Sequence, residues 1–448
     1  MNKAPASLTV ATLSLLSSLA WPQDFFDSVA TQTSTDELDL DSPWTHRIWL
    51  QQKTGYGWHT PSVAASRDQA ALTRTESQLF GEVGWRQNAW RLQASGSLLH
   101  DWLPDLENWG AFSGYDFTEQ QNQQRRWRMQ LADTFVEWQD NDWWVKAGYQ
   151  TLAWGESESL KITDVLARRD QRWPGQADLE KLRLPVPAVQ VTWNNQLDWV
   201  TLIHPLPDRM PAAGDEFDPY VELRQQQSEL SLIQEHETRP GFAIRWRQQW
   251  QGLDAQWMLA DVASYESELT VFNSGPHGAN VHLSPWRQQV LGGSAQWVKG
   301  SWLLRTEQAL HNNVRVTQQN PQAPWQKTRQ WRGMLGADFN GISDLLISAE
   351  YSWLYIKNRI PTLGEQRYQP AASGRIQYTL YNDRLTLEAY AQSITGDEGS
   401  LIRLQADWTV SDNFSVSLSA IEYDAQQADL LHPYRHNDSL LLSMRWGL

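Results

Sequence analysis

The sequence predicts an all-β chain closed into a transmembrane antiparallel β-barrel of about 18 strands, with 16 the nearest alternative, short periplasmic turns and long extracellular loops. Three observations carry that fold class. Apolar and polar residues alternate with period two, the connections alternate between short and long, and tryptophans stand beside the short turns.

The alternation is clearest in "LIRLQADWTV", residues 401–410. Ile402, Leu404, Ala406, Trp408 and Val410 share one face, and Arg403, Gln405, Asp407 and Thr409 share the other. "FSVSLSA" at 414–420, "WRLQASGSLL" at 90–99 and "DLLISAEYSWLY" at 344–355 repeat the pattern. Such strands have one apolar and one polar face. The charged and amide residues on the polar faces predict a wet interior.

In chain order, a single strand at 45–57 starts the array. Tight hairpins follow at 73–87/89–102, 125–140/142–156, 187–195/197–205 and 241–251/252–265. Four more lie at 285–299/301–313, 329–340/344–358, 372–382/385–396 and 400–411/413–424, and a last single strand spans 437–448. Eight hairpins and two single strands make eighteen. The long connections between hairpins include 103–124, 157–186, 206–240 and 266–284. An even count places both ends on the side of the short turns.

The chain has 27 tryptophans, more than its 13 tyrosines and 11 phenylalanines together. Trp85 and Trp90, Trp138 and Trp143, Trp193 and Trp199, Trp250 and Trp257, and Trp297 and Trp302 flank five tight turns. Residues equally far from a turn share one depth, so these indoles form an interfacial ring. The alternative is the aromatic core of a soluble β-sandwich, which would rarely set them beside so many turns.

Closure has a physical cause. In hydrocarbon every backbone donor and acceptor needs an internal partner, so an open edge cannot survive. Eighteen strands enclose a lumen too wide for wall side chains alone to fill.

The N-terminus, "MNKAPASLTVATLSLLSSLAWPQDFF", combines Lys3, an apolar run from Leu8 to Leu16 and a small-residue site at Ser18-Leu19-Ala20. It predicts a signal peptide over residues 1–20, a periplasmic segment over 21–44 and a barrel over 45–448, placed in the outer membrane of a Gram-negative bacterium. Cysteine is absent, which removes disulfides, thiolate catalysis and Cys-zinc sites together. The formal net charge of −15 argues against a nucleic-acid partner. Such a barrel meets outer-membrane lipid and lipopolysaccharide. Its final strand, "SLLLSMRWGL", resembles the signal read by the barrel-assembly machinery, although the last residue is Leu448 and the aromatic Trp446 stands two places earlier.

The candidate functional element is the connection 156–187, "ESESLKITDVLARRDQRWPGQADLEKLRLPVP". It mixes both charges with Leu160, Ile162, Val165 and Leu166, which suits a loop folded inward against the lumen wall. Charged groups there set pore size and ion preference. An outward cap contacting lipopolysaccharide is the alternative. The pore- or ligand-binding candidates are Trp154, Gly155, Asp164, Arg168, Arg169, Asp170 and Arg172, with Gly155 as a hinge of positive φ and with "YQTLAW" (149–154) as the end of a barrel strand. No catalytic residue, metal or cofactor is assigned. No G-x-S-x-G or Walker-type loop occurs, "HET" at His236 lacks a second histidine, and the acidic "GDEFD" at 214–218 reads as a solvated patch or a lipopolysaccharide-linked cation bridge before it reads as a calcium site.

"VKAGYQTLAWGESESLKITDVLARRDQ" resembles an uncharacterised family of proteobacterial outer-membrane barrels of unknown function. Those barrels carry G-[RY]-Q-x-x-x-W-G followed by an apolar-x-x-D-V segment. The matching positions are Gly148, Tyr149, Gln150, Trp154, Gly155, Asp164 and Val165, with Tyr149 where arginine is common. The resemblance implies a porin-like channel or substrate-translocating barrel for hydrophobic or lipidic compounds. It also implies association with a resistance-nodulation-division type inner-membrane transporter and a periplasmic lipid carrier. The alternative role is an outer-membrane partner of such a transporter. An outer-membrane hydrolase is a distant alternative.

Overall fold

The structure, a computed structural model, describes residues 42–448 except 59–70, 107–122, 124, 159, 177–181, 213–214, 219–228, 236, 273–277, 318–324, 358–365, 395–398 and 427–430. The predicted signal peptide and nearly all of the 21–44 segment lie outside the described residues.

Eighteen antiparallel strands form a closed barrel. Closure joins the first strand, Trp44–Gly57, to the last, Ser439–Gly447, in register from Trp49↔Gly447 to Gly57↔Ser439. The fourth strand runs in two pieces, Trp127–Leu131 and Thr134–Asp140, broken by a bulge at 132–133. Three further strand pieces are not part of the closed ring. Arg168–Arg169 pairs with Arg183–Leu184, and Glu229–Gln234 runs parallel to Gly278–Leu283.

The tight turns show why these residues end strands. Asn88, Asn141, Asn194, Asn195, Asp344, Asn382 and Asp383 hold positive φ there, as do Gly252 and Gly300. Asn, Asp and Gly tolerate that region where other residues strain, and hairpin turns require it. Pairing then brings aromatics together across neighbouring strands, mostly close to the tight turns. Trp44 faces Trp85, Trp90 faces Trp138, Trp143 faces Trp193, and Trp246 faces Trp257. Trp302 faces Phe339 and Phe414 faces Trp446, at ring separations of 4.7 and 5.0 Å. The outward faces between carry exposed apolar side chains such as Leu259, Leu291, Leu335, Ile376 and Leu404.

Three expectations are corrected. The strand expected over 142–156 ends at Gln150, because the chain turns into the lumen there. The loop expected over 266–284 is mostly strand, since Leu253–Phe272 and Gly278–Lys299, at 20 and 22 residues, extend into it. The interior is not simply wet. Leu152, Trp154, Leu160, Ile162, Val165 and Leu166 of the inward segment pack against wall residues Val200, Met258, Val262, Val290, Met334 and Ile356. The alternation still selects the two faces, but Met258, Val290 and Met334 are apolar and point inward because a segment covers them.

Candidate functional site

The site begins where the fifth strand, Trp143–Gln150, leaves the wall. Gly148 holds φ +136, and a Cβ there would stand 2.4 Å from the Thr134 carbonyl oxygen. After Gln150 the backbone ladder stops. The Asp133 carboxylate replaces it, accepting from the Thr151 amide at 2.7 Å and from its hydroxyl at 3.1 Å. Gln150 is fully buried and donates to the Ala188 carbonyl at 2.9 Å.

Trp154 then turns inward and is buried, with the Arg245 guanidinium 4.5 Å from its ring. Gly155 is required for a reason other than the one expected. Its φ is not among the positive ones, which in this segment belong to Gly148 and Gly175. A Cβ on Gly155 would instead meet the Asp164 Cβ at 2.6 Å, so the outgoing and returning chains cross where only glycine fits.

The segment crosses the lumen and is held by the far wall. Glu307 lies on the eleventh strand, Trp302–Thr317, and is fully buried. Its carboxylate accepts from the amides of Glu156 (2.6 Å), Ser157 (3.0 Å) and Thr163 (2.5 Å), and from the Thr163 hydroxyl (2.6 Å). Glu350, on Leu345–Ile356, accepts from the Ser157 hydroxyl and the Glu158 amide at 2.8 and 2.9 Å. From the same wall, Arg305 donates to the Glu156 carbonyl, Arg332 to the Lys161 carbonyl and His311 Nε2 to the Ile162 carbonyl, at 2.9, 3.0 and 2.8 Å. Side chains of the wall thus take the place of a sheet partner for an irregular backbone, as buried polar groups demand.

The return path is tied by charge. Asp164 accepts from Arg169 at 2.7 Å and from Arg183 at 3.0 Å, and Arg183 also donates to the Gly155 carbonyl. Burial alone would raise the Asp164 carboxyl, but Arg183 and Arg169 outweigh it and hold it below the usual range. Asp170 grips Arg172 through two oxygens and is likewise held low against its burial. Lys161 pairs with Asp208 at 2.6 Å, and Asp208 also accepts from the Arg169 amide. Burial pushes Glu158 up to about 7, because Arg375 and Arg305 offset only part of it. Trp173 lies under the guanidinium groups of Arg74 and Arg172, at 3.7 and 4.0 Å. Beyond it, Gln176 reaches Ser439, and the Tyr423 hydroxyl donates to the Pro174 carbonyl.

The seven candidate residues all lie in this inward segment. Trp154, Asp164, Arg169, Asp170 and Arg172 are buried, whereas Gly155 and Arg168 are half-buried. Asp164 and Arg169 come together around Arg183, Asp170 and Arg172 form a second pair, and Arg168 joins neither. Most of these charges therefore neutralise one another inside the segment. The wall anchors Glu307, Glu350, Arg305, Arg332 and His311 were missed by sequence reasoning. Their signal was only partial, since each sits at an inward position of an alternating strand, where a charge faces either lumen water or a packed segment and the pattern does not say which. A second inward piece was also missed. Phe217 and Asp218 of the "GDEFD" stretch are buried, with Phe217 against Tyr423 and Tyr434, and Asp215 is paired with Arg125.

Solved structures share the fold at low sequence identity. OccAB3 of Acinetobacter baumannii matches at 9% identity with a TM-score of 0.53, covering 90% of this chain and 99% of that one. OccAB2 of the same organism matches at 8% identity and TM-score 0.52, covering 90% and 98%. Pseudomonas aeruginosa OccK2 (OpdF), solved in complex with glucuronate, matches at 11% identity and TM-score 0.50, covering 90% and 98%. No curated protein matches the sequence. A family profile covers residues 64–447, most of the barrel, and by that match the chain belongs to the family described as protein of unknown function (DUF1302).

Proposed function

We propose that this chain is an outer-membrane, porin-like channel whose inward segment is its constriction and substrate-selecting element. The observation that carries this reading is the anchoring of 156–163 on Glu307 and Glu350, six to eight strands around the ring from where the segment leaves the wall. A chain strapped across a barrel narrows it sterically, and the charges left at its surface bias what passes. Trp154 and Gly155 set the point of entry. Asp164, Arg169, Asp170 and Arg172 hold the shape, and Arg168, half-buried, is the candidate charge left outside those pairs. No chemical step is involved. Selection is a matter of fit and field.

Planar-bilayer recording of the purified chain tests this. The expected result is a small, stable conductance that increases on Arg168→Ala, Arg169→Ala substitution. A wild-type barrel that never conducts, or a conductance indifferent to these residues, sinks the reading.

A further inference from the structure

The wall from which the inward segment hangs is lower than the rest. Trp143–Gln150, Val186–Trp193 and Leu197–Leu202 contain 8, 8 and 6 residues, while Leu253–Phe272 nearby contains 20. At ~3.3 Å per residue and a tilt of ~40°, eight residues climb ~20 Å and six ~15 Å, against an apolar band of ~25 Å. Measured from the periplasmic turns, the sheet stops short within the outer leaflet.

One flank of this gap is an open edge. Trp127–Leu131 pairs with Trp90–Asp101, but its other side meets no strand among the described residues, because Trp143–Gln150 ends opposite Thr134. Met129 on that edge is 88% exposed, and Trp127, Leu131, Tyr149, Ala153 and Ile203 complete an exposed apolar rim. Unpaired backbone costs several kcal/mol per group in dry hydrocarbon, so the edge must be wetted from the lumen. Water and acyl chains therefore meet at this notch.

Cations stand just inside it. Arg209 donates to the Gln130 side chain of the edge strand at 2.7 Å. Arg168 is half-buried, its guanidinium makes no ion pair among the described residues, and the carboxylates of Asp208 and Asp170 and the phenols of Tyr265 and the rim residue Tyr149 are the groups that act on its charge. An apolar rim over guanidinium groups suits a molecule with one apolar chain and an anionic head.

We propose that the notch is a lateral port between lumen and outer leaflet for anionic single-chain amphiphiles, whose head is received by Arg168 and Arg209. The port rests on the channel reading above.

The test uses the full chain in lipid nanodiscs with dodecyl phosphate carrying a diazirine close to its head group, and maps labelled peptides by mass spectrometry. Labelling is expected on 127–131 and also on 165–172, which an intact wall would screen from the bilayer. Unlabelled dodecyl phosphate should compete and inorganic phosphate should not. Met129→Trp with Ala153→Trp should reduce labelling of 165–172 at least fivefold while leaving the belt at 402–408 unchanged, and Arg168→Gln should reduce it similarly. Potassium chloride conductance is recorded in parallel. A conducting barrel labelled only around its belt overturns the port alone. A barrel that does not conduct overturns the channel reading and the port with it.

Discussion

The barrel wall and the segment inside it are built from one chain by different forces. In the wall, backbone pairs with backbone from strand to strand, and the side chains only choose a face. In the outgoing half of the segment, 156–163, hardly any backbone pairs with backbone among the described residues, whereas the return half has a short ladder of its own. The outgoing amides and carbonyls are met instead by Glu307, Glu350, Arg305, Arg332 and His311 of the wall. The wall needs a pattern and tolerates exchange within it. The segment needs particular residues at particular places, and its attachment depends on their charge state.

The largest effect separates the two outright. Deleting 157–182 and bridging the ends with a short glycine-serine linker should leave a folded, heat-modifiable barrel and raise single-channel conductance several-fold. If the barrel itself fails to assemble, the segment is part of the wall's folding core and the contrast falls.

The next effect is the loss of a single charge. Asp164→Ala leaves Arg169 and Arg183 buried without their carboxylate, a loss of about 3–5 kcal/mol in holding the segment. Protease cleavage within 156–185 should accelerate accordingly while the barrel's melting temperature barely moves. Equal losses in both would show that segment and wall unfold together.

Protonation offers a reversible form of the same test. Burial raises Glu158 from 4.5 to about 7, so the docked segment holds a proton that a released one gives up. Docking therefore weakens as pH rises through that interval and levels off above it. Asp164 is held low, so its contribution is present above its ordinary 3.8 and lost as pH falls below. Conductance should be smallest near pH 4–5 and increase on both sides, and Glu158→Gln should weaken the alkaline limb while leaving the acid limb unchanged. A monotonic pH profile contradicts this arrangement.

The smallest effect is steric. Gly155→Ala forces a Cβ into Asp164 at 2.6 Å, and overpacking of this kind costs about 1–3 kcal/mol. It should loosen the segment as measured by proteolysis, less than Asp164→Ala does.

Much of the wall could be read directly. The alternation at 401–410 put Ile402 and Leu404 outside and Arg403 inside, and Trp90 does stand level with Trp138. Strand limits were less legible. Leu253–Phe272 outran its expected end because its pairing with Gly278–Lys299 continues to Phe272↔Asn280, past a register shift that no local pattern marks. The strand ended early at Gln150 because the Asp133 carboxylate took over at Thr151, 18 residues away. Gly155 was singled out for the wrong property, since a residue's crossing partner is invisible in a linear string.

By itself the sequence determined the class of fold, the strand order, the facing of each strand and the depth of the tryptophans. All of these follow from local periodicity and turn chemistry acting between chain neighbours. Only the tertiary structure decided which wall residues meet the inward segment, that its charges neutralise one another, and that three short strands leave the wall low beside an open edge. Those are matters of distance across the ring, where Glu307 meets Ser157 from 150 residues away, and no local pattern encodes them.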